Sequence, residues 1–201
     1  MPIRIVGIGL LIWLLALAGS AAGDTEGSAF LYVQSSLTDG TSYRGDHYAK
    51  CIPGNDRGTT GRTLIYKVGR ERDQLEDTYD WYCGSVYPVS THDGTYVIRF
   101  AGGFRGSEPR DEDLAVAFYA RGKMIRSYSA RDLANGPGSV TTSVSHYQWC
   151  RQVVGVGWLT SEKAKVLKFG FTVETVDRRQ LCFDLKTGEL LEGWRPERLE
   201  N

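Results

Sequence analysis

Three histidines, His47, His92 and His146, are the side chains of this 201-residue sequence whose ordinary titration falls near neutral pH. His146 stands in SVSHYQWC (143–150) beside Ser145 and Tyr147, where it could act as a base for a serine or as a metal ligand. His47 and His92 stand in "DHY" and "HDG", at strand starts where a polar turn residue is ordinary. Candidate acids are Asp77 and Asp80 in DTYDWYC (77–83), and Asp111, Glu112 and Asp113 in GGFRGSEPRDED (102–113). A glycosidase needs two such carboxylates at a fixed separation in space, which sequence spacing does not supply. The glycine-rich, charged 102–113 stretch reads as a solvated loop. No HExxH, G-x-S-x-G or GxxxxGK[ST] pattern occurs. Satisfied or surface histidines, with no metal and no cofactor, are therefore the expectation.

DTYDWYC is the densest aromatic window. In a strand, Tyr79 and Trp81 share one face, and Thr78, Asp80 and Tyr82 the other. A flat aromatic face beside an acid could bind a sugar ring. The exposed aromatics expected to form a contact surface are Tyr79, Trp81, Tyr82, Tyr87, Tyr147 and Trp149. Asp80 itself matches Ser129 in the later segment RSYSARD, and Asp and Ser are both residues that cap backbone amides. A capping role for Asp80 is the expectation that follows.

The elements that must position these groups are short alternating apolar runs broken by Gly, Asp, Asn and Ser, a β pattern throughout. The runs repeat. GDHYAK (45–50) matches DGTYVI (93–98) at an offset of 48, and Tyr79 matches Tyr128 at an offset of 49. A third copy is expected in KVLKFGFTVET (165–175) and QLCFDLKTGELLEGW (180–194). In the hairpins Ile65, Phe118 and Phe183 should point inward, and Gly69, Gly122 and Gly188 should make the turns. A unit of about 45–50 residues with several short antiparallel strands has the size of a β-propeller blade. Propellers close with about four to eight blades, and this chain holds about three units. The expected fold is all-β, three meander units in one compact sandwich, open barrel or partial propeller. One short helix is expected near 129–134, with Ser129 as its N-cap, Asp132 three positions on, and Gly136 to stop it.

Residues 1–23 have the form of a cleavable export signal. Arg4 is followed by an apolar run to Leu17 and then by small residues, Ala18 to Gly23, that suit cleavage after Ala22 or Gly23. The remaining 24–201 form one expected domain, periplasmic or extracellular, with no later run long enough to span a membrane. Charges balance, 24 basic against 24 acidic, with no basic stripe, so nucleic acid is not an expected partner. The four cysteines, in an exported chain, read as two disulfides. The spacings from Cys51 to Cys83 and from Cys150 to Cys182, 32 residues each, mildly favour local pairing among the three connectivities.

The stretches YAKCIP (48–53), GRTLIYKV (61–68), TYDWY (78–82), LAVAFYARGKMIRSYSARDL (114–133) and SVSHYQW (143–149) resemble a group of exported bacterial β-repeat proteins of unknown function. The resemblance runs from about Tyr48 to Trp194. It implies a Gram-negative source and an envelope location, and brings no activity with it. In that group positions 51 and 83 are not always cysteine, which would make disulfides an elaboration. The expected function is a non-catalytic binding or structural module of the cell envelope, contacting an envelope protein, a glycan or a second copy of itself. The rival is a small envelope hydrolase using His146 with an acid such as Asp80.

Overall fold

The structure, a computed structural model, describes residues 32–35, 46–54 and 60–197. The expected signal segment lies outside them. The protein is all-β with one short helix. The first sheet is a meander of β1 (Tyr32–Ser35), β2 (His47–Ile52), β3 (Arg62–Lys67) and β4 (Gln74–Tyr79), paired in that order. The second contains β5 (Ser85–Thr91), β6 (Gly94–Phe100), β8 (Leu114–Ala120) and β9 (Lys123–Ser129). Between β6 and β8 the chain leaves this sheet to form β7 (Gly103–Arg105), which joins β10 (Thr141–Thr142) and β11 (His146–Gln148) in the order β10-β11-β7. The third four-stranded sheet has the order β14-β13-β12-β15, from β12 (Cys150–Thr160), β13 (Lys168–Thr175), β14 (Gln180–Asp184) and β15 (Arg195–Pro196). Every strand pair is antiparallel.

The second sheet lies between the other two, which explains its sequence. Strand β8, LAVAFYA, is apolar along its whole length because both of its faces are covered, as in any strand buried on two sides. Ala117 and Tyr119, with Val97 of β6, pack against Ala49, Ile65 and Tyr79 of the first sheet. Val116 and Phe118, with Ile98, pack against Phe171, Val173 and Phe183 of the third. Period-two alternation thus sends successive residues of one strand into two different cores. Ile65, Phe118 and Phe183 are all fully buried, as their positions in the hairpins imply. Each such side chain contributes about 1.5–3 kcal/mol by leaving water. Pro88 is tolerated inside β5 because β5 is an edge of its sheet, where the missing N–H breaks no ladder.

The outer face of the third sheet is closed by the chain itself. After β14 the backbone turns at Gly188 (φ 68°), and Leu191 N donates to Cys182 O at 2.7 Å along the β14 edge. It then crosses to the opposite edge, where β15 pairs with β12. On the way the Cys182 thiol donates to Trp194 O at 3.3 Å. Cys182, Thr172 and Asp184 are therefore buried although they point away from the main core.

Turn chemistry is mostly as the sequence predicts. Arg121 and Gly122 both have positive φ, which a two-residue hairpin of the type I′ class requires. Gly69 differs. Its φ is not positive; the position needs glycine because a Cβ would fall 1.9 Å from Arg72 O. Helix α1 (Ala130–Leu133) carries the expected capping box, with Asp132 N donating to Ser129 Oγ and Ser129 N to Asp132 Oδ2. It ends at Ala134, before Gly136.

The two disulfides are not formed. All four cysteines are buried thiols, and no two are within bonding distance. Register explains the second pair: Cys150 sits opposite Thr175 and Cys182 opposite Thr172. They are two strands apart and three residues along, about 10 Å in each direction, against a Cα separation of at most about 7 Å in a bridge. For the first pair, Cys51 faces Thr63, which faces Tyr79, so two strand spacings already intervene before the chain turns toward Cys83. The Cys83 thiol donates instead to Phe100 O at 3.1 Å.

Candidate functional site

The aromatics singled out in the sequence are largely structural in placement. Tyr79 is 4% exposed, and Tyr147 and Trp149 are 1% exposed, so the expectation of exposure fails for these three. Tyr147 donates to Asp113 Oδ2 at 2.6 Å, Trp149 Nε1 donates to Ala101 O at 2.7 Å, and Trp149 packs on Phe100. Tyr79, Trp81 and Tyr119 form a three-ring cluster with centroids 5.0–5.3 Å apart between the first and second sheets, and Arg99 lies over Trp81 at 4.8 Å. Tyr79 and Trp81 do share a side, as alternation implies. Tyr82 and Tyr87 are half-buried; Tyr87 contacts Phe171. The six do not assemble into one surface.

The 102–113 stretch is only partly a solvated loop. It contains β7, and Asp113 is buried, forked by Arg110 Nε at 3.0 Å and Nη2 at 2.8 Å. Burial works to raise the Asp113 carboxyl, but Arg110 and the Tyr147 hydroxyl outweigh it and hold it below the ordinary carboxylate value. His146 and Asp80 are not joined by a hydrogen bond or ion pair. His146 lies on β11, with Ser145 Oγ 2.8 Å from its Nδ1. Asp80 is exposed at the end of β4 and, among the described residues, caps no amide; Ser129, its counterpart in the repeat, does cap one.

The constellation that sequence reading passed over is centred on His47. This imidazole is 4% exposed, at the start of β2 where the first sheet meets the second. Its Nδ1 lies 2.6 Å from Asp46 Oδ1 and 2.5 Å from Ser90 Oγ. Its Nε2 lies 2.9 Å from Glu76 Oε2 and 3.1 Å from Thr95 Oγ1. Ser90 Oγ also donates to Asp46 at 2.8 Å, and Thr95 Oγ1 to Glu76 at 3.1 Å. Burial acts to raise the Asp46 carboxyl, yet the Ser90 hydroxyl and the His47 ring outweigh it and lower it. The sequence did hold a trace of this cluster: His47 and Thr95 occupy equivalent positions of the repeat, 48 residues apart, and equivalent positions of stacked units face each other.

Serine, histidine and carboxylate are the components of a nucleophilic triad. Along β5, Val86 and Ser90 share the face toward the first sheet, while Tyr87, Val89 and Thr91 share the face toward the third. The Ser90 hydroxyl thus reaches toward the first sheet, where it bonds Asp46 and His47, while Ser90 also borders the open cleft beside β5. Among the described residues no group of three or more His, Cys, Asp or Glu is arranged to hold a metal ion.

An open site adjoins the end of β5. A cleft of about 390 Å³ separates the end of β5 from the ends of β12, β13 and β14. Its apolar lining is Trp158, Leu167, Phe169 and Leu185. Trp158 faces Phe169 across the β12–β13 ladder, their rings T-shaped with centroids 5.4 Å apart, and Trp158 remains 45% exposed. Polar lining comes from Ser90, Thr91, His92, Lys168, Asp184 and Lys186. Each cation has a carboxylate partner: Lys168 Nζ is 2.9 Å from Asp184 Oδ2, and Lys186 Nζ contacts Asp93. Asp184 also accepts from the backbone N–H of Lys186 and Thr187. Burial acts to raise Asp184, but Lys168 and these amides prevail and lower it. Sequence reading missed Trp158, whose exposure depends on where one sheet's cover ends.

Compared with known proteins, the chain matches no family model, no curated protein and no solved structure. Among the described residues no helix is long and apolar enough to cross a membrane.

Proposed function

We propose that this protein is an exported, non-catalytic binding module of the bacterial cell envelope, periplasmic or extracellular, whose ligand site is the cleft between the second and third sheets. One contrast carries the reading. Ser90, His47, Asp46 and Glu76 are bonded to one another where the first two sheets meet, whereas the cleft beside them is floored by apolar side chains and rimmed by paired charges. Such a cleft can hold a ligand. Location rests on the signal-like pattern of residues 1–23 and on the resemblance to exported bacterial β-repeat proteins. The buried thiols are compatible with export, since none is positioned to be oxidised to a bridge with another.

The test has two readouts. Mass spectrometry of the protein recovered from a Gram-negative periplasm should give an N-terminus at Gly23 or Asp24; an intact Met1 would refute export by cleavage. Incubation with chromogenic ester, glycoside and peptide substrates should give no turnover above the buffer control. Turnover that disappears in His146→Ala would establish the hydrolase alternative instead.

A further inference from the structure

We infer that the cleft takes a neutral hexose unit of a glycan, stacked on the indole of Trp158. The inference rests on the binding-module reading and specifies its ligand. Trp158 is the first reason. A tryptophan opposite a phenylalanine in a paired ladder would normally be buried with it, yet this one is 45% exposed at the mouth of a cleft. Its T-shaped contact with Phe169 occupies at most one face of the indole, so the other is presented to a ligand. A pyranose offers the matching surface, an apolar face of C–H groups surrounded by hydroxyls.

The rim is the second reason. Hydroxyls both donate and accept, and the lining supplies the Thr91 hydroxyl, the His92 ring and the Lys186 ammonium.

Charge decides against the rival ligand classes. Lys168 and Lys186 are each held by a carboxylate, Asp184 and Asp93, so no cation stands unengaged for a phosphate or a fatty-acid head group. An alkyl chain would gain most from an enclosed tunnel, and here the largest apolar side chain is open to water. The volume lies toward the low end of the about 300–1,000 Å³ common for small-ligand sites, room for one or two sugar rings.

The probes are cellobiose, maltose and N,N′-diacetylchitobiose, with dodecanoate for comparison, followed by saturation-transfer NMR and tryptophan fluorescence up to about 20 mM. At least one disaccharide should bind saturably, and Trp158→Ala should weaken it by about tenfold or more, the loss of one stacking contact. Val144→Ser, at a fully exposed position, should bind as the parent does. Because Trp158 is already half in solvent, the variant should keep its circular dichroism spectrum and cooperative melting. Disaccharide binding that survives Trp158→Ala would overturn the cleft assignment and leave the binding-module reading standing. No disaccharide binding, with or without dodecanoate binding, would overturn the sugar assignment. Turnover of any probe would contradict the non-catalytic reading itself.

Discussion

Replacing His47 with alanine should cost about 2–3 kcal/mol of folding stability, and the figure follows from what the ring leaves behind. Four polar atoms lie within 3.1 Å of the two ring nitrogens. Each ring nitrogen carries one N–H or one lone pair, so the ring makes two hydrogen bonds at a time, and at about 1 kcal/mol net each the crude total is about 2 kcal/mol. Two corrections lower it. Ser90 keeps its bond to Asp46, and Thr95 keeps its bond to Glu76, so neither hydroxyl is orphaned. Asp46 and Glu76 are 44% and 28% exposed, so water reaches their carboxylates and screens the lost contacts. The empty ring volume at a 4%-exposed position adds a cavity penalty in return. With a urea m-value of about 2 kcal/mol/M for a chain of this size, the midpoint should fall by about 1–1.5 M at unchanged m. His92→Ala is the control: that side chain is 78% exposed, and its loss should move stability by no more than about 0.5 kcal/mol. His47→Gln, which retains hydrogen-bonding capacity on one side, should fall between the two. An alanine effect no larger than that of His92 would show that the cluster does not join the sheets, and the stacking account would fail.

Three other outcomes are expected. Under non-reducing conditions a thiol reagent should count four thiols in denaturant and react far more slowly in the native state, since burial pushes the Cys150 thiol up to about 12 and leaves almost no thiolate at pH 8; fewer than four in denaturant would mean that a disulfide exists. Asp46, Asp113 and Asp184 all titrate below the ordinary carboxylate value of 3.8 in the folded state, so their stabilisation is present above about pH 4 and is lost as pH falls through their lowered values. Equilibrium denaturation between pH 6 and pH 2.5 should show that loss, and Asp184→Asn should flatten part of it; a slope unchanged in the variant would refute the contribution of Asp184. Gly188→Ala combines φ 68° with a Cβ placed 2.8 Å from Arg126 Cβ, and should destabilise by about 1–3 kcal/mol in the same denaturation assay, against near-neutrality if the turn relaxes freely.

Repetition made much of the fold legible. The offset that aligns Tyr48 with Tyr96 is the offset between β2 and β6, and the first two sheets share one order of strands. Local chemistry was equally readable where it is self-contained: the Ser129–Asp132 capping box and the positive-φ turns at Gly122 and Gly188 need no knowledge of distant chain. What alternation does not carry is which face another sheet will cover. Tyr79, Tyr147 and Trp149 therefore read as surface and are core, while Trp158 drew no notice and lines the cleft. The disulfides failed for a related reason. Equal sequence spacing says nothing of strand register, and register sets Cys150 and Cys182 three rungs apart on non-adjacent strands. His47 reads as an ordinary turn residue because its partners Glu76, Ser90 and Thr95 are 29 to 48 residues away and meet it only when the sheets stack.

We propose that the Ser90–His47 contact holds two sheets together and serves no reaction. Fluorophosphonate labelling of the native protein, read as intact mass, tests it most directly, because the reagent marks only a serine that is both activated and reachable. An unchanged mass at neutral pH is expected. A stoichiometric adduct on Ser90 that is lost in His47→Gln would contradict it, and would make this cluster an active site.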